Sequence, residues 1–367
     1  MTSSAPTRQT PLHVVHERLG ATMVPFAGWL MPLRYSSEMA EHQSVRQRAG
    51  LFDLSHMGEI LVTGPAAGAA LDYALAGYLS TLVPGRARYT LICAPDGGVL
   101  DDLIVYRRAE EEFLVIANAA NVPVVVRELT ERAAGFDAAV TDATDDYALI
   151  AIQGPAAAGI LAPLCDLDLS LIKYYAGASG SVAGRAAWVA RTGYTGEDGF
   201  EVYCRPGEAE HVWTALLEAG APAGLIPAGL AARDTLRLEA GMALYGNELG
   251  PDRTPFEANL GRLVKFEKPG DFVGRSALAS HAAERPAEVL TGLTVKSRRV
   301  PRHGYPVLLD GGVACGVVTS GAPSPTLGVP IAMAYVSTIA QGPLYVSIRG
   351  DAVPATVTEL PFYRRRK

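Results

Sequence analysis

Two adjacent carboxylates, Asp101 and Asp102, lie within a segment that has the pattern of a β-strand, residues 98–106. Because side chains alternate along a strand, the two carboxylates must point to opposite faces of the sheet, with Asp102 on the face of Tyr106. One of them therefore points to the buried side, where a carboxylate is costly to desolvate unless it meets a donor. Such a group is a candidate base or ligand-holding residue, and the alternative is an edge Asp that binds loop amides.

A glycine-rich loop precedes a further carboxylate, Glu201. Three glycines fall within residues 193–199, which lets the backbone approach a ligand closely. Glu201 lies on the strand that leaves this loop, and one carboxylate can accept two parallel N–H bonds, the donor pattern of a pterin edge. The alternative interpretation is a glycine-rich hairpin with solvated acids.

A methionine, two arginines and a hydrophobic segment complete the candidates. Met57 lies in a loop before a strand, where it could pack against a flat ligand, although core packing is the alternative. Arg233 and Arg237 share one stripe of a helix predicted over residues 228–239. The segment 25–32 frames a glycine with prolines and aromatic residues, and its structural interpretation is a hydrophobic plug between lobes.

Several other kinds of site have no support in the sequence. No GxGxxG, GxxxxGK[ST], HExxH or GxSxG motif occurs, which argues against dinucleotide, P-loop, zinc-protease and α/β-hydrolase chemistry. His13 and His16 have helical spacing but no third ligand in register, and four single cysteines suggest neither zinc nor disulfides, so we expect no metal. A net charge of −6 argues against nucleic acid as a partner.

The apolar runs and the N-terminal residues predict a protein of the cytoplasm without a membrane part. The longest apolar runs, such as residues 122–126 and 147–152, are far shorter than the ~18–20 residues that span a bilayer. Residues 1–8 have no apolar segment behind their one Arg, so they do not resemble a secretion signal.

The elements expected around these residues form an α+β protein with antiparallel sheets. Helical patterns cover residues 10–20, 36–49, 66–76, 122–134, 208–219 and 228–239. Strand patterns cover residues 59–63, 87–94, 98–106, 113–117, 147–152, 181–190 and 199–204. A strand, a Gly-Pro pair and a helix occur in succession at residues 60–70 and again at 147–164, which suggests a duplicated unit.

The chain beyond residue 282 has a different pattern of predicted secondary structure. Residues 284–286 have the composition of a linker. Five strands without intervening helices are predicted at residues 290–296, 305–309, 313–319, 331–335 and 344–348. They predict a separate β-barrel or sandwich of ~80 residues.

Eight segments, taken in order, resemble the aminomethyltransferase, or T-protein, family of the glycine cleavage system. They are FAGWLMP, FDLSHMGE, GGVLDDL, NAAN, QGP, GYTGEDGFE, GLAARDTLRLEAGMALYG and FVGRSAL. The resemblance runs from about Thr10 to Phe362 and implies a three-lobed, folate-binding α+β fold with a small C-terminal β-barrel. It implies a folate-binding region over residues 1–282 and a barrel over 283–367. The folate-binding region would contain two interleaved lobes, roughly 1–50 with 142–227 and 51–141 with 228–282.

The activity that the resemblance implies belongs to glycine catabolism. An aminomethyl group on the lipoyl arm of H-protein would give its methylene carbon to tetrahydrofolate, forming 5,10-methylenetetrahydrofolate, ammonia and dihydrolipoyl H-protein. Tetrahydrofolate is then a co-substrate, and no metal is needed. Lipoylated H-protein is the direct partner, and the P- and L-proteins are indirect ones.

The resemblance also assigns residues to roles. Asp102 falls on the family's catalytic position, Glu201 on its pterin-binding Glu and Arg233 on its folate-contacting Arg. The remaining positions that line the family's folate pocket fall on Tyr194, Asn118, Tyr89, Tyr106, Met57 and Arg364.

Two other functions compete with this one. A folate-dependent demethylase would use a small methylated donor, but such relatives resemble the GYTGEDG and AARD segments more loosely. A folate-binding protein without transferase activity would carry a reactive cysteine in a Lys-Gly-Cys loop. None of the four cysteines lies in such a loop.

Overall fold

The structure is a computed structural model, and it describes residues 7–365. The helices are α1 (His13–Arg18), α2 (Glu38–Gln47), α3 (Ala67–Ala74), α4 (Val122–Ala133), α5 (Ala157–Leu161), α6 (Ala209–Gly220), α7 (Leu230–Glu239) and α8 (Arg275–Ala283). The strands of the first half are β1 (Arg8–Gln9), β2 (Thr22–Phe26), β3 (Trp29–Arg34), β4 (Gly50–Asp53), β5 (Gly58–Thr63), β6 (Ala87–Cys93), β7 (Val99–Ala109), β8 (Glu112–Ala117), β9 (Ala139–Asp142) and β10 (Ala148–Gln153). Those of the second half are β11 (Gly177–Val182), β12 (Arg185–Ala190), β13 (Gly199–Cys204), β14 (Ile226–Pro227), β15 (Glu288–Val295), β16 (Pro306–Leu309), β17 (Ala314–Pro323), β18 (Pro330–Ser337), β19 (Leu344–Ile348) and β20 (Asp351–Thr358).

The first α/β unit spans residues 58–142. Its sheet has the order β6-β7-β8-β5-β9, and every neighbouring pair is antiparallel. Helices α3 and α4 cover one face of this sheet, because their apolar sides pack with Leu103 and Val115 in one buried core. The alternating burial along β7 follows from this arrangement, since one face meets the helices and the other meets the rest of the molecule.

The second unit, residues 148–227, repeats the plan of the first. The elements from β10 to β14 follow the same chain order as those from β5 to β9, and the sheet order is β11-β12-β13-β10-β4-β14. This is the order of the first sheet with β4 inserted. Gly64 and Gly154 both lie between the first strand and first helix of their units, with φ of 120° and 130°. The duplication suggested by the sequence is therefore confirmed.

The two sheets pack face to face. One buried apolar core joins Leu114 and Ile116 of the first sheet to Phe52, Leu149 and Tyr203 of the second. Helices α5 and α6 cover the outer face of the second sheet through a separate core. The molecule thus places two sheets in its middle and helices outside them, and side chains on the inner faces of β7 and β13 meet between the sheets.

A closed barrel forms the C-terminal part, in the order β15-β18-β17-β16-β19-β20. Ile331 and Met333 of the barrel pack against Leu238 of α7, and Arg237 donates to the Ser320 hydroxyl at 2.7 Å. The barrel is therefore attached directly to the helix that carries Arg233. No helix within residues 7–365 has the length and apolar character to cross a membrane.

Two expectations about strands were wrong. The run predicted at residues 181–190 is two strands, β11 and β12, because Ala183 and Gly184 turn the chain with positive φ. The barrel has six strands, whereas five were predicted from the sequence. The strand that was not predicted is β20. β20 contains Pro354, which is rare inside a strand, although it pairs with both β15 and β19.

The segment 25–32 lies within a β-hairpin. Strands β2 and β3 form it, and the turn at Ala27 and Gly28 has positive φ at both residues. Trp29 is buried, while Phe26 is half-exposed and meets the His56 ring edge-on, with centroids 5.6 Å apart.

Two segments outside the two units each pack on, or pair with, one of the two sheets. Strand β4 lies in the second sheet between β10 and β14, and residues 249–278 pack on the first sheet through Leu249, Val264 and Leu278. On these contacts we propose the division into two interleaved lobes up to residue 282 and a barrel after it. Residues 50–53 then belong to the lobe that contains residues 142–227, not to the lobe that contains residues 58–141.

Candidate functional site

The inner face of β7 carries the first candidate, Asp102. Its side chain is partly exposed, and its Oδ2 accepts a hydrogen bond from the Tyr89 hydroxyl on β6 at 2.9 Å. Its Oδ1 accepts from the Asn118 side-chain amide, also at 2.9 Å. Burial raises the pKa of this carboxyl. A carboxyl with a raised pKa and two fixed donors is suited to taking up and releasing a proton.

Asp101 points to the opposite face of the sheet, as alternation predicted. It is completely buried and accepts from the Asn118 backbone N–H at 3.0 Å. The Asn118 and Asn121 amides also donate to it, at 2.8 and 2.7 Å. The fully buried carboxyl is therefore Asp101, whereas Asp102 remains partly open.

The second candidate, Glu201, lies on the inner face of β13. Its Oε2 accepts from three hydroxyls, those of Thr192 at 2.5 Å, Tyr106 at 3.3 Å and Tyr203 at 3.4 Å. Within residues 7–365 its Oε1 has no hydrogen-bond partner, and that oxygen is not sealed from solvent. The three hydroxyls fix the carboxylate, and its second oxygen stays free to accept from a ligand.

Arg233 is the third candidate, on the first turn of α7. Its guanidinium lies 4.7 Å from the centroid of the Tyr194 ring, a cation–π contact. Among the described residues it has no acidic partner and no side-chain hydrogen bond. Burial lowers its pKa, and the charge of Glu201 acts in the opposite direction. A partly buried guanidinium without a carboxylate is a ready anchor for a polar or anionic ligand.

Tyr194 and His56 complete the surroundings of Arg233. The Tyr194 hydroxyl donates to the Ala243 carbonyl, which ties the glycine-rich loop to the chain after α7. Burial and the Arg233 charge lower the pKa of His56 to about 4, so this imidazole is neutral at neutral pH. His56 was not predicted from the sequence, although its position next to Met57 was the available signal.

Two further candidates line the site less directly. Tyr106 is completely buried, and its hydroxyl holds Thr192 at 2.7 Å as well as Glu201, so it orients the carboxylate from behind. Met57 is partly buried and packs on the core between the two sheets.

The C-terminal arginine differs from the expectation. Arg364 is exposed, 3.5 Å from Glu359, and is not brought together with the other candidates. Arg365 lies instead 3.2 Å from Asp198 of the glycine-rich loop. Because residues 364–366 are all arginines, the sequence alone could not show which of them approaches the glycine-rich loop.

A polar junction behind the site, which the sequence did not reveal, holds the glycine-rich loop. Arg46 of α2 donates to the Thr195 carbonyl at 2.7 Å, to Glu197 at 3.0 Å and to Glu239 of α7 at 3.0 Å. Glu239 also accepts from His42 of α2 at 3.1 Å, and from Ser324 and Thr326 of the barrel. We call Arg46, His42, Glu239, Ser324 and Thr326 the Glu239 junction. It joins the loop, two helices and the barrel.

The histidines considered for a metal have other partners. His16 lies between Asp53 at 2.8 Å and the Tyr35 hydroxyl at 2.9 Å, and His13 faces Glu17. In residues 7–365 no group of three or more His, Cys, Asp or Glu side chains is arranged to hold a metal ion.

Two family models match the chain in succession. One, described as the GCVT N-terminal domain, matches residues 12–268. The other, described as the glycine cleavage T-protein C-terminal barrel domain, matches residues 289–364. The chain belongs to the glycine cleavage T-protein family. The resemblance given by the eight sequence segments is thereby confirmed.

Similar T-proteins match over their full length. Proteins named aminomethyltransferase from Saccharopolyspora erythraea and Streptomyces avermitilis are 63% and 62% identical to this chain. The first match covers 98% of both chains and the second covers 100% of both. The crystal structure of the glycine cleavage system aminomethyltransferase T from Bartonella henselae has a TM-score of 0.92 at 37% identity, covering 98% of this chain and 99% of that one. The expected three-lobed α+β fold with a C-terminal barrel is confirmed.

Proposed function

We propose that this chain is the aminomethyltransferase of a glycine cleavage system. It transfers the methylene carbon of an aminomethyl group, carried on the lipoyl arm of H-protein, to tetrahydrofolate. The products are 5,10-methylenetetrahydrofolate, ammonia and dihydrolipoyl H-protein. Membership of the family over the whole chain supports the reaction. The observation that carries it is that the open carboxyl of Asp102 and the guanidinium of Arg233, which has no carboxylate partner in residues 7–365, both lie within range of Tyr194, and that the half-free carboxylate of Glu201 lies within range of Arg233.

Glu201 and Arg233 are the residues that would hold tetrahydrofolate. The free Oε1 of Glu201 can accept from the amino edge of a pterin, and the hydroxyls on Oε2 keep the carboxylate in place for it. Arg233 has N–H groups to offer because no carboxylate in residues 7–365 occupies them. The donor and acceptor set therefore fits a folate, with Tyr194, Met57 and the remaining candidates as its surroundings.

Asp102 is the catalytic residue of the proposal. N5 bonds to the aminomethyl carbon as the carbon–sulfur bond breaks, and the N5 proton passes to the lipoyl sulfur. The amino group then leaves as ammonia, which takes up one proton and leaves an N5 iminium. N10 closes the bridge by attacking the iminium carbon and losing the proton that balances this uptake. Asp102 accepts that proton, and its charge stabilises the cationic iminium that precedes ring closure. Tyr89 and Asn118 hold the carboxyl from both sides, so little reorganisation is needed when the charge develops.

The proposal includes lipoylated H-protein as the direct partner and the P- and L-proteins as indirect ones. It needs no metal and involves no nucleic acid. We place the reaction in the cytoplasm, and the four cysteines, none of which is in a disulfide, are in keeping with a reducing compartment.

The test is ammonia release from aminomethyl-lipoyl H-protein with and without tetrahydrofolate. We expect release by the unmodified chain to depend on tetrahydrofolate and to yield methylenetetrahydrofolate. Asp102→Asn should lower kcat by about 10²–10⁴-fold while folate still binds.

Asp137→Asn is the matched control, since Asp137 is an exposed carboxylate of the same unit. It should leave kcat unchanged. Folate binding without turnover by the unmodified chain would contradict the proposal. Screening small methylated donors would then separate a demethylase from a binding protein without transferase activity.

A further inference from the structure

Asp101 is a buried carboxyl that has no part in the reaction as described so far. It is completely buried, on the face of β7 that packs against α4 and away from Asp102. Its Oδ2 accepts from the Asn118 N–H at 3.0 Å, and its Oδ1 accepts from the side-chain amides of Asn118 and Asn121 at 2.8 and 2.7 Å. Three N–H donors around one buried carboxyl are an arrangement for an anion, since each favours the ionised form.

One nitrogen atom links Asp101 to Asp102. The side-chain Nδ2 of Asn118 lies 2.8 Å from Asp101 Oδ1 and 2.9 Å from Asp102 Oδ1. An amide nitrogen carries two hydrogens, so it can donate one to each carboxyl. The orientation of Asp102 is therefore set partly by Asp101, although the two side chains point to opposite faces of the sheet.

The partners of the two carboxyls differ in whether they can accept a proton. Every partner of Asp101 in the described chain is an N–H group, which donates and cannot accept. Asp102 Oδ2 instead meets the Tyr89 hydroxyl, which can reverse its role and accept from a protonated carboxyl. A single proton shared by the pair is therefore better accommodated on Asp102.

The other groups around the pair add negative charge or none. Burial and the neighbouring charge raise the pKa of Asp101, and burial raises that of Asp102, on which Glu248 acts in the same direction. Tyr245, which follows α7, and Tyr194 of the glycine-rich loop feel the charges of the pair and are neutral phenols with raised pKa. Glu248 is itself paired with Arg237, 2.8 Å away, and in residues 7–365 neither carboxyl of the pair has a Lys, Arg or His partner.

We propose that Asp101 is a positioning residue that stays ionised, orients Asp102 through Asn118 and increases the affinity of Asp102 for the proton that folate N10 loses. The proposal rests on the proposed transfer reaction. Asp102 becomes a stronger base because a fixed negative charge lies behind it, and the proton passes from N10 to Asp102 without reaching Asp101.

The test is the pH profile of kcat for tetrahydrofolate-dependent ammonia release from aminomethyl-lipoyl H-protein, from about pH 5.5 to about pH 9. Two variants are compared with the unmodified chain. Asp101→Asn removes the charge, and Asn121→Ser removes one donor to Asp101 without touching Asp102. The acidic limb of the profile should move to lower pH by about one unit in Asp101→Asn. It should move less, in the same direction, in Asn121→Ser, because an Asp101 carboxylate with one donor fewer is a stronger base and takes part of the shared proton away from Asp102.

A merely structural role gives a different result. Asp72 is a buried carboxylate of the same unit that accepts from the backbone of Leu79 and Ser80, so Asp72→Asn is the control, and its limb should not move. Equal loss of kcat at every pH in Asp101→Asn would overturn the proposal. If Asp101→Asn does not fold, an unmoved limb in Asn121→Ser overturns it. Absence of ammonia release by the unmodified chain would refute the proposed function itself, and this inference with it.

Discussion

Replacing Glu239 by Gln should destabilise the molecule and change how its stability depends on pH. The Glu239 side chain is completely buried in the Glu239 junction, where the Arg46 guanidinium and the His42 imidazole are its nitrogen partners. Burial alone would raise the pKa of this carboxyl. The hydrogen bond and charge of His42, the Ser324 hydroxyl and the Arg46 charge together outweigh burial and hold the pKa at about 2.

The size of the effect follows from this pKa. The ordinary value is 4.5, so the carboxylate is favoured in the folded state by about 3 kcal/mol, at about 1.4 kcal/mol per unit of pKa. Because the folded pKa is the lower one, this stabilisation is present above pH 4.5 and is lost as the pH falls towards 2. Gln cannot carry the charge, and it leaves Arg46 without one of its two carboxylates.

The assay is urea unfolding followed by circular dichroism, at pH 7 and at steps down to about pH 3. Glu239→Gln should lose about 3 kcal/mol at pH 7 and should lose less further stability than the unmodified chain between pH 4.5 and the lowest pH. Glu218→Gln, at an exposed position of α6, is the control and should change neither quantity. A Glu239→Gln variant with the stability and acid dependence of the unmodified chain would refute the reasoning.

Two further predictions concern the site and the duplicated turn. Arg233→Met should weaken tetrahydrofolate binding roughly 10- to 100-fold, measured by isothermal titration calorimetry, because the proposed ligand loses a charged donor. Unchanged affinity would remove Arg233 from the site. Gly154→Ala should cost more than about 2 kcal/mol of unfolding free energy, since φ is 130° and a Cβ would lie 2.5 Å from the Arg48 carbonyl oxygen. Gly159→Ala, in α5 with nothing within 4 Å, should instead stabilise by about 0.5–1 kcal/mol, and similar losses in both would contradict the argument.

Local pattern was enough to predict much of the fold. Alternation along β7 placed Asp101 and Asp102 on opposite faces, and the two strand, Gly-Pro and helix segments revealed the duplication. Strand β20 was missed because Pro354 interrupts its local pattern, and pairing with two neighbouring strands outweighs that local preference.

The long-range polar contacts could not be predicted in the same way. Arg46 and Glu239 are separated along the chain by the whole of both units, and nothing in either local sequence indicates the other. The pairing of Arg365 with Asp198 and the closeness of His56 to Arg233 are also contacts between residues that lie far apart in the sequence. Chain packing, rather than spacing along the sequence, brings these groups together.

Strand β4 has a consequence for the order in which the protein can assemble during synthesis. The first sheet uses only residues 58–142, so it can close as soon as those residues leave the ribosome. The second sheet cannot, because β4 pairs with β10 and β14, which are synthesised after the whole of the first unit. During that interval the inner face of the first sheet, with Leu114 and Ile116, has no partner. A nascent chain of this length therefore exposes apolar surface that a chaperone could bind until the second sheet arrives to cover it.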